Sequence, residues 1–95
     1  MTKTTTEYLG ITGVDSGQLL LTDPGYIDDK DTFNYDKMCL WDNKNSKVLV
    51  NKHGAEVGVV MTTQVGDGSF PVYARYDKKG DLLKIEILIG QEDID

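Results

Sequence analysis

Apolar and polar side chains alternate along most of the chain, and turn-forming residues interrupt the alternation at roughly ten-residue intervals. Tyr8-Leu-Gly-Ile-Thr-Gly-Val14 reads as a short strand whose two glycines weaken it but allow a bulge or a close backbone approach. Asp15-Ser16-Gly17 supplies turn chemistry, and Gln18 to Thr22 makes a second strand, so the pair predicts a β-hairpin centred on that turn. Asp23-Pro24-Gly25 then ends the ladder, because proline brings no N–H donor. Tyr26 to Asn34 is rich in aspartate and reads as a solvated loop. From Tyr35 to Trp41 the apolar positions Tyr35, Met38, Cys39 and Trp41 approximate one helical face, with Asn34 as N-cap.

The second half carries three further β signals. Lys47 to Asn51 and Ala55 to Gln64 flank a Lys52-His53-Gly54 turn, and Val65 to Ser69 leads into Phe70 to Tyr76. Asp77-Lys-Lys-Gly-Asp81 predicts a hairpin loop with Gly80 in the left-handed position, followed by a strand from Leu82 to Ile89. The last three strands are expected to form an antiparallel meander. The pattern therefore predicts a mainly β chain: a small antiparallel barrel or sandwich of about six strands, with one short helix between strands two and three. A single domain over residues 1–95 is expected, with 1–7 frayed or extending an edge and 90–95 an acidic tail. Alternation assigns the core to Leu19, Leu21, Val48, Val50, Val57, Val59, Phe70, Val72, Leu83, Ile85 and Ile87.

Composition narrows the function classes. Lys+Arg 10 against Asp+Glu 16 leaves a formal charge of -6, and the basic residues are scattered, which disfavours direct nucleic-acid binding. Cys39 has no second cysteine to pair with, as suits a reducing cytoplasm, and neither a signal peptide nor a long apolar run is present, so neither export nor membrane insertion is expected. No cofactor is implied. Cys39 and His53 carry no local nucleophile motif, and they read as a buried small hydrophobe and an exposed loop residue.

Two surface features carry candidate chemistry. Asp28, Asp29, Asp31, Asp36 and Asp42, opposed by Lys30 and Lys37, make either a solvated acidic face or a patch that docks on a basic partner; Asp28-x-x-Asp31 lacks the register of a calcium loop. The turn around Asp67, Gly68 and Ser69 can offer backbone amides to an anion, with Arg75 and Lys78 following to neutralise it. Tyr26 and Trp41 stand beside turns, where an aromatic ring can stack on a ligand or plug the end of a sheet.

Val14-Asp15-Ser16-Gly17-Gln18-Leu19, Thr22-Asp23-Pro24-Gly25-Tyr26 and Gly66-Asp67-Gly68-Ser69-Phe70-Pro71-Val72-Tyr73, with the helix that carries Cys39 and Trp41, together resemble a group of small β-rich phage and bacterial proteins related to a bacterial domain family that has no assigned activity. The resemblance spans about Val14 to Ile89 and departs at Gly25, where many members carry cysteine, and at Phe70, where tyrosine is usual. It implies a β architecture, a bacterial cytoplasmic setting and an accessory role exerted by binding.

The leading expectation is thus a non-enzymatic protein that captures a small anionic molecule, such as a nucleotide signal of host defence, at turns carrying Asp15, Ser16, Asp23, Tyr26, Trp41, Asp67, Ser69, Arg75 and Lys78. A homo-oligomer sharing such pockets would gather the few cations. The alternatives are an acidic module that inhibits a basic host protein, and a structural component.

Overall fold

The computed structural model describes residues 4–40 and 44–90. The chain is mainly β, with strands β1 (Thr5–Val14), β2 (Gln18–Thr22), β3 (Ser46–Val50), β4 (Glu56–Thr62), β5 (Gly68–Tyr76) and β6 (Leu82–Ile87). A 3-10 turn, Pro24–Tyr26, and a short helix α1, Tyr35–Met38, lie between β2 and β3. The strands divide between two three-stranded antiparallel sheets, β1-β5-β6 and β2-β4-β3, and do not close into a barrel. Backbone contacts group the described residues of Met1–Val14 and Gly68–Asp95 into one compact unit and those of Asp15–Asp67 into another.

In the first unit β5 is central. β1 pairs with it along its whole length, from Thr5 opposite Tyr76 to Val14 opposite Gly68, with a bulge between Tyr8 and Gly10. Thr5 to Glu7 are therefore strand residues that extend an edge, not frayed chain. The predicted β1–β2 hairpin does not form. β2 has five residues and would leave half of the ten-residue β1 unpaired, whereas the nine residues of β5 satisfy nearly all of it. The meander is corrected for the same reason: β5 and β6 form its final hairpin, but β4 pairs with β2 and β3. Gly80 closes the β5–β6 loop at φ 91°, and the Asp77 carboxylate accepts from the Lys79 and Asp81 amides. Phe70 and Ala74 are buried on β5, while Leu83 and Ile85 on β6 remain about half exposed.

In the second unit β4 is central, and its core lies under the segment that reads as a solvated loop. Phe33 and Thr32 are buried, and Phe33 packs with Leu49, Val57 and Val60. Gly58 makes room for this ring, since a side chain there would meet the backbone of Leu21 and the edge of Phe33. Covering this face selects Leu49 from the run Val48-Leu49-Val50 and leaves the two valines, together with Leu21 and Val59, exposed. Leu19 and Val57 are buried as alternation predicts.

Local chemistry explains the connecting pieces. Asp23 caps the 3-10 turn by accepting from the Gly25 amide, and Asn34 caps α1 by accepting from the Asp36 amide. The helix ends three residues short of Trp41, because Cys39 is already extended at ψ 147° and the Leu40 amide donates to the Gln18 side chain. Asn51 organises the β3–β4 turn by accepting from the amides of His53 and Ala55. No helix among the described residues is long and apolar enough to cross a membrane.

Candidate functional site

The second unit brings two turns together. The Gly17 carbonyl accepts from the Thr63 amide, the Thr63 hydroxyl donates to the Gly66 carbonyl, and a side chain at Gly17 would lie 3.7 Å from the Gly66 Cα. Both glycines hold left-handed backbone, at φ 69° and 88°, and Gln64 between them is at φ 67°. A non-glycine residue at positive φ is uncommon and marks a constrained turn. Glycine here leaves the backbone bare, which lets a ligand approach the main chain closely.

A cleft of ≈ 440 Å³ opens beside these turns. Ser16, Gln18 and Gln64 give it polar walls, Tyr35 an aromatic one, and Lys44 a cation; among the described residues no carboxylate lines it. A smaller recess of ≈ 100 Å³ shares Ser16, Gln18, Tyr35 and Cys39 with it and continues onto Leu20, Met38 and Val60. Cys39 is buried. Hydrogen bonding with the Cys39 side chain, then the charge of Cys39 and burial, with smaller help from the negative charges of Asp15 and Asp36, raise the Tyr35 pKa above the ordinary tyrosine value.

A second cleft, of ≈ 380 Å³, lies between the aspartate-rich segment and β3. It sets Lys37, Lys47 and Lys52 among Asp29 and Asp31. The Asp29 carboxylate accepts from the Thr32 hydroxyl and amide, and the Lys37 ammonium donates to the Asp31 carbonyl. The acidic stretch is thus partly structural and interleaved with cations, while Asp28 is simply exposed.

The remaining candidate residues are distributed as follows. Ser16 lines the first cleft and Asp15 acts on Tyr35 through its charge. Asp23 is a cap, and Tyr26 stands exposed at the end of the 3-10 turn. Asp36 lies in the first turn of α1. Asp67 is exposed. Ser69, Arg75 and Lys78 belong to the other unit, where Arg75 is ion-paired to Glu86 and Lys78 borders a groove with Glu7 and Asp77. Trp41 and Asp42 lie outside the described residues. Tyr35 and Lys44 have no place in the sequence-based site; Tyr35 reads there as helix packing and Lys44 as part of a polar turn, and only the fold shows them sharing a cleft. His53 is exposed in its turn. Among the described residues no three His, Cys, Asp or Glu side chains are close enough to hold a metal ion. No protein family, curated protein or solved structure matches the chain.

Proposed function

We propose that the protein is a non-enzymatic binding protein that captures a small anionic molecule in the cleft between the Ser16–Gly17 and Gln64–Gly66 turns. One observation carries this reading: in a chain of net charge -6, the described lining of the cleft consists of Lys44, an aromatic ring and neutral groups, with no carboxylate among those residues. Its volume falls in the range of small-molecule sites. Tyr35 offers a face for a planar ring, Lys44 neutralises a phosphate or carboxylate, and the side-chain amide of Gln64 supplies further hydrogen bonds, while Gln18 is held by the Leu40 amide and the Ser16 carbonyl. A nucleotide combines these demands, and the likeness to phage accessory proteins points to a nucleotide signal of bacterial defence. The alternative, an acidic module docking on a basic protein, is less favoured because Lys37, Lys47 and Lys52 stand among Asp29 and Asp31.

Native mass spectrometry of the protein purified from bacterial cells tests the reading. A stoichiometric adduct of nucleotide mass that heat releases, and that Lys44→Ala abolishes while the fold remains, is the expected result. A clean apo mass, together with salt-sensitive capture of a basic protein, would transfer the function to the acidic stretch.

A further inference from the structure

β6 is an edge strand whose outer side has no strand partner among the described residues, and Leu82, Leu83 and Ile85 are about half exposed along it. The direction of its backbone groups follows from one hydrogen bond. The Leu88 amide donates to the Pro71 carbonyl, continuing the register that sets Ile87 opposite Val72 and Glu86 opposite Tyr73. Backbone groups in an antiparallel ladder alternate between the two sides of a strand. Those of Leu88, Glu86 and Lys84 therefore turn inward to β5, and those of Ile87 and Ile85 turn outward, where they are available to another strand.

Leu82-Leu-Lys-Ile-Glu-Ile-Leu88 is also a palindrome in chemical type. Folded back on a second copy about a two-fold axis at Ile85, it sets Ile85 against Ile85, Lys84 against Glu86, Leu83 against Ile87 and Leu82 against Leu88. Outward backbone groups then meet outward ones, so the central ladder bonds form between the two Ile85 residues. Slipping by two residues, the smallest shift that keeps this match, places Lys84 against Lys84 or Glu86 against Glu86. Charge thus selects one register. Glu86 is flanked in it by Arg75 of its own sheet, with which it is ion-paired, and by the copy's Lys84. The other edge of the sheet, β1, is less suited, because the bulge between Tyr8 and Gly10 interrupts it midway, whereas the β6 bulge falls at the end, between the Arg75 and Tyr76 pairings.

We propose that β6 is a self-association strand, through which two copies join antiparallel about Ile85 and merge two three-stranded sheets into one of six strands. The partner is a second copy of this chain, and the interaction does not rest on the ligand cleft, which lies in the other unit.

Sedimentation equilibrium over a concentration series, read against the 10.6 kDa chain mass, tests it with charge reversals. The wild-type protein is expected to reach the dimer mass. Lys84→Glu sets two acidic side chains against each other across the axis and Glu86→Lys sets two basic ones, so each single variant weakens the dimer by roughly tenfold or more. Mixing the two single variants restores complementarity and with it a heterodimer, and the double reversal in one chain restores the homodimer. These rescues separate loss of association from loss of folding. A wild-type chain that stays monomeric, or a Lys84→Glu variant that dimerises as well as wild type, would overturn the proposal.

Discussion

Asp29 is an exposed carboxylate with a structural task. Its oxygens accept from the hydroxyl and amide of Thr32, three residues on, and the hydroxyl bond is the main reason that its pKa falls below the usual aspartate value, with smaller help from the Asp31 amide and Lys52. A carboxyl whose folded pKa is lowered adds stability above its unfolded value, and this is lost as pH falls through the folded value. Asp29→Asn is therefore expected to lower the urea midpoint at neutral pH and to leave it little changed in acid relative to wild type, a convergence that paired denaturation curves would show. This bond joins near neighbours and is of a kind that sequence can suggest. Phe33 is different: it follows Asp28, Asp29 and Asp31, so composition places it in solvent, and only the bare backbone of Gly58 beneath its ring shows why it is buried. Tyr35 and Lys44 were hidden in the same way, since neither stands in a motif and their common cleft depends on chain segments that sequence does not bring together.

Strands and local turns were legible because their determinants lie within a few residues. β2 spans Gln18–Thr22 in both readings, Asn34 caps the helix it was expected to cap, and Gly80 occupies the left-handed position its loop requires. Gly80→Ala forces a Cβ into that conformation and should destabilise the protein by about 1–2 kcal/mol, measured as a fall in unfolding free energy. The facing of β3 was not legible, because Val48-Leu49-Val50 is apolar on both sides and the choice falls to whatever covers one of them. Phe33 makes that choice in favour of Leu49. Leu49→Ala should accordingly cost about 2–5 kcal/mol. Val48→Ala, at a position 48% exposed, should cost less than about 1 kcal/mol, and equal losses in the two unfolding curves would refute the assigned face. Strand pairing was harder still: the local hairpin of β1 with β2 gives way to the longer ladder with β5, a comparison of lengths that requires the distant strand to be known.

At the scale of the whole molecule, the -6 charge describes the chain but not its clefts, since lysines gather at Asp29 and Asp31 and, among the described residues, no carboxylate lines the cleft of Tyr35 and Lys44. Composition averages over such local arrangements, and this is why it could not foresee a cleft of this lining. Chain order has a similar subtlety. The first unit is made from both ends of the sequence, and Val14 and Gly68, where the intervening segment departs and returns, are directly paired neighbours in its sheet. Within that segment Gly17, Thr63 and Gly66 bind one another just inside the two exits. Asp15–Asp67 therefore behaves as a cassette with its own clasp, spliced into a hairpin whose two strands would otherwise be joined by a tight turn. Expressed alone, it should keep the dispersed amide resonances of a folded sheet, and a collapsed spectrum would refute this. The host strands meet at Val14 and Gly68, so a chain in which a short turn replaces Asp15–Asp67 is expected to keep the β1–β5 ladder.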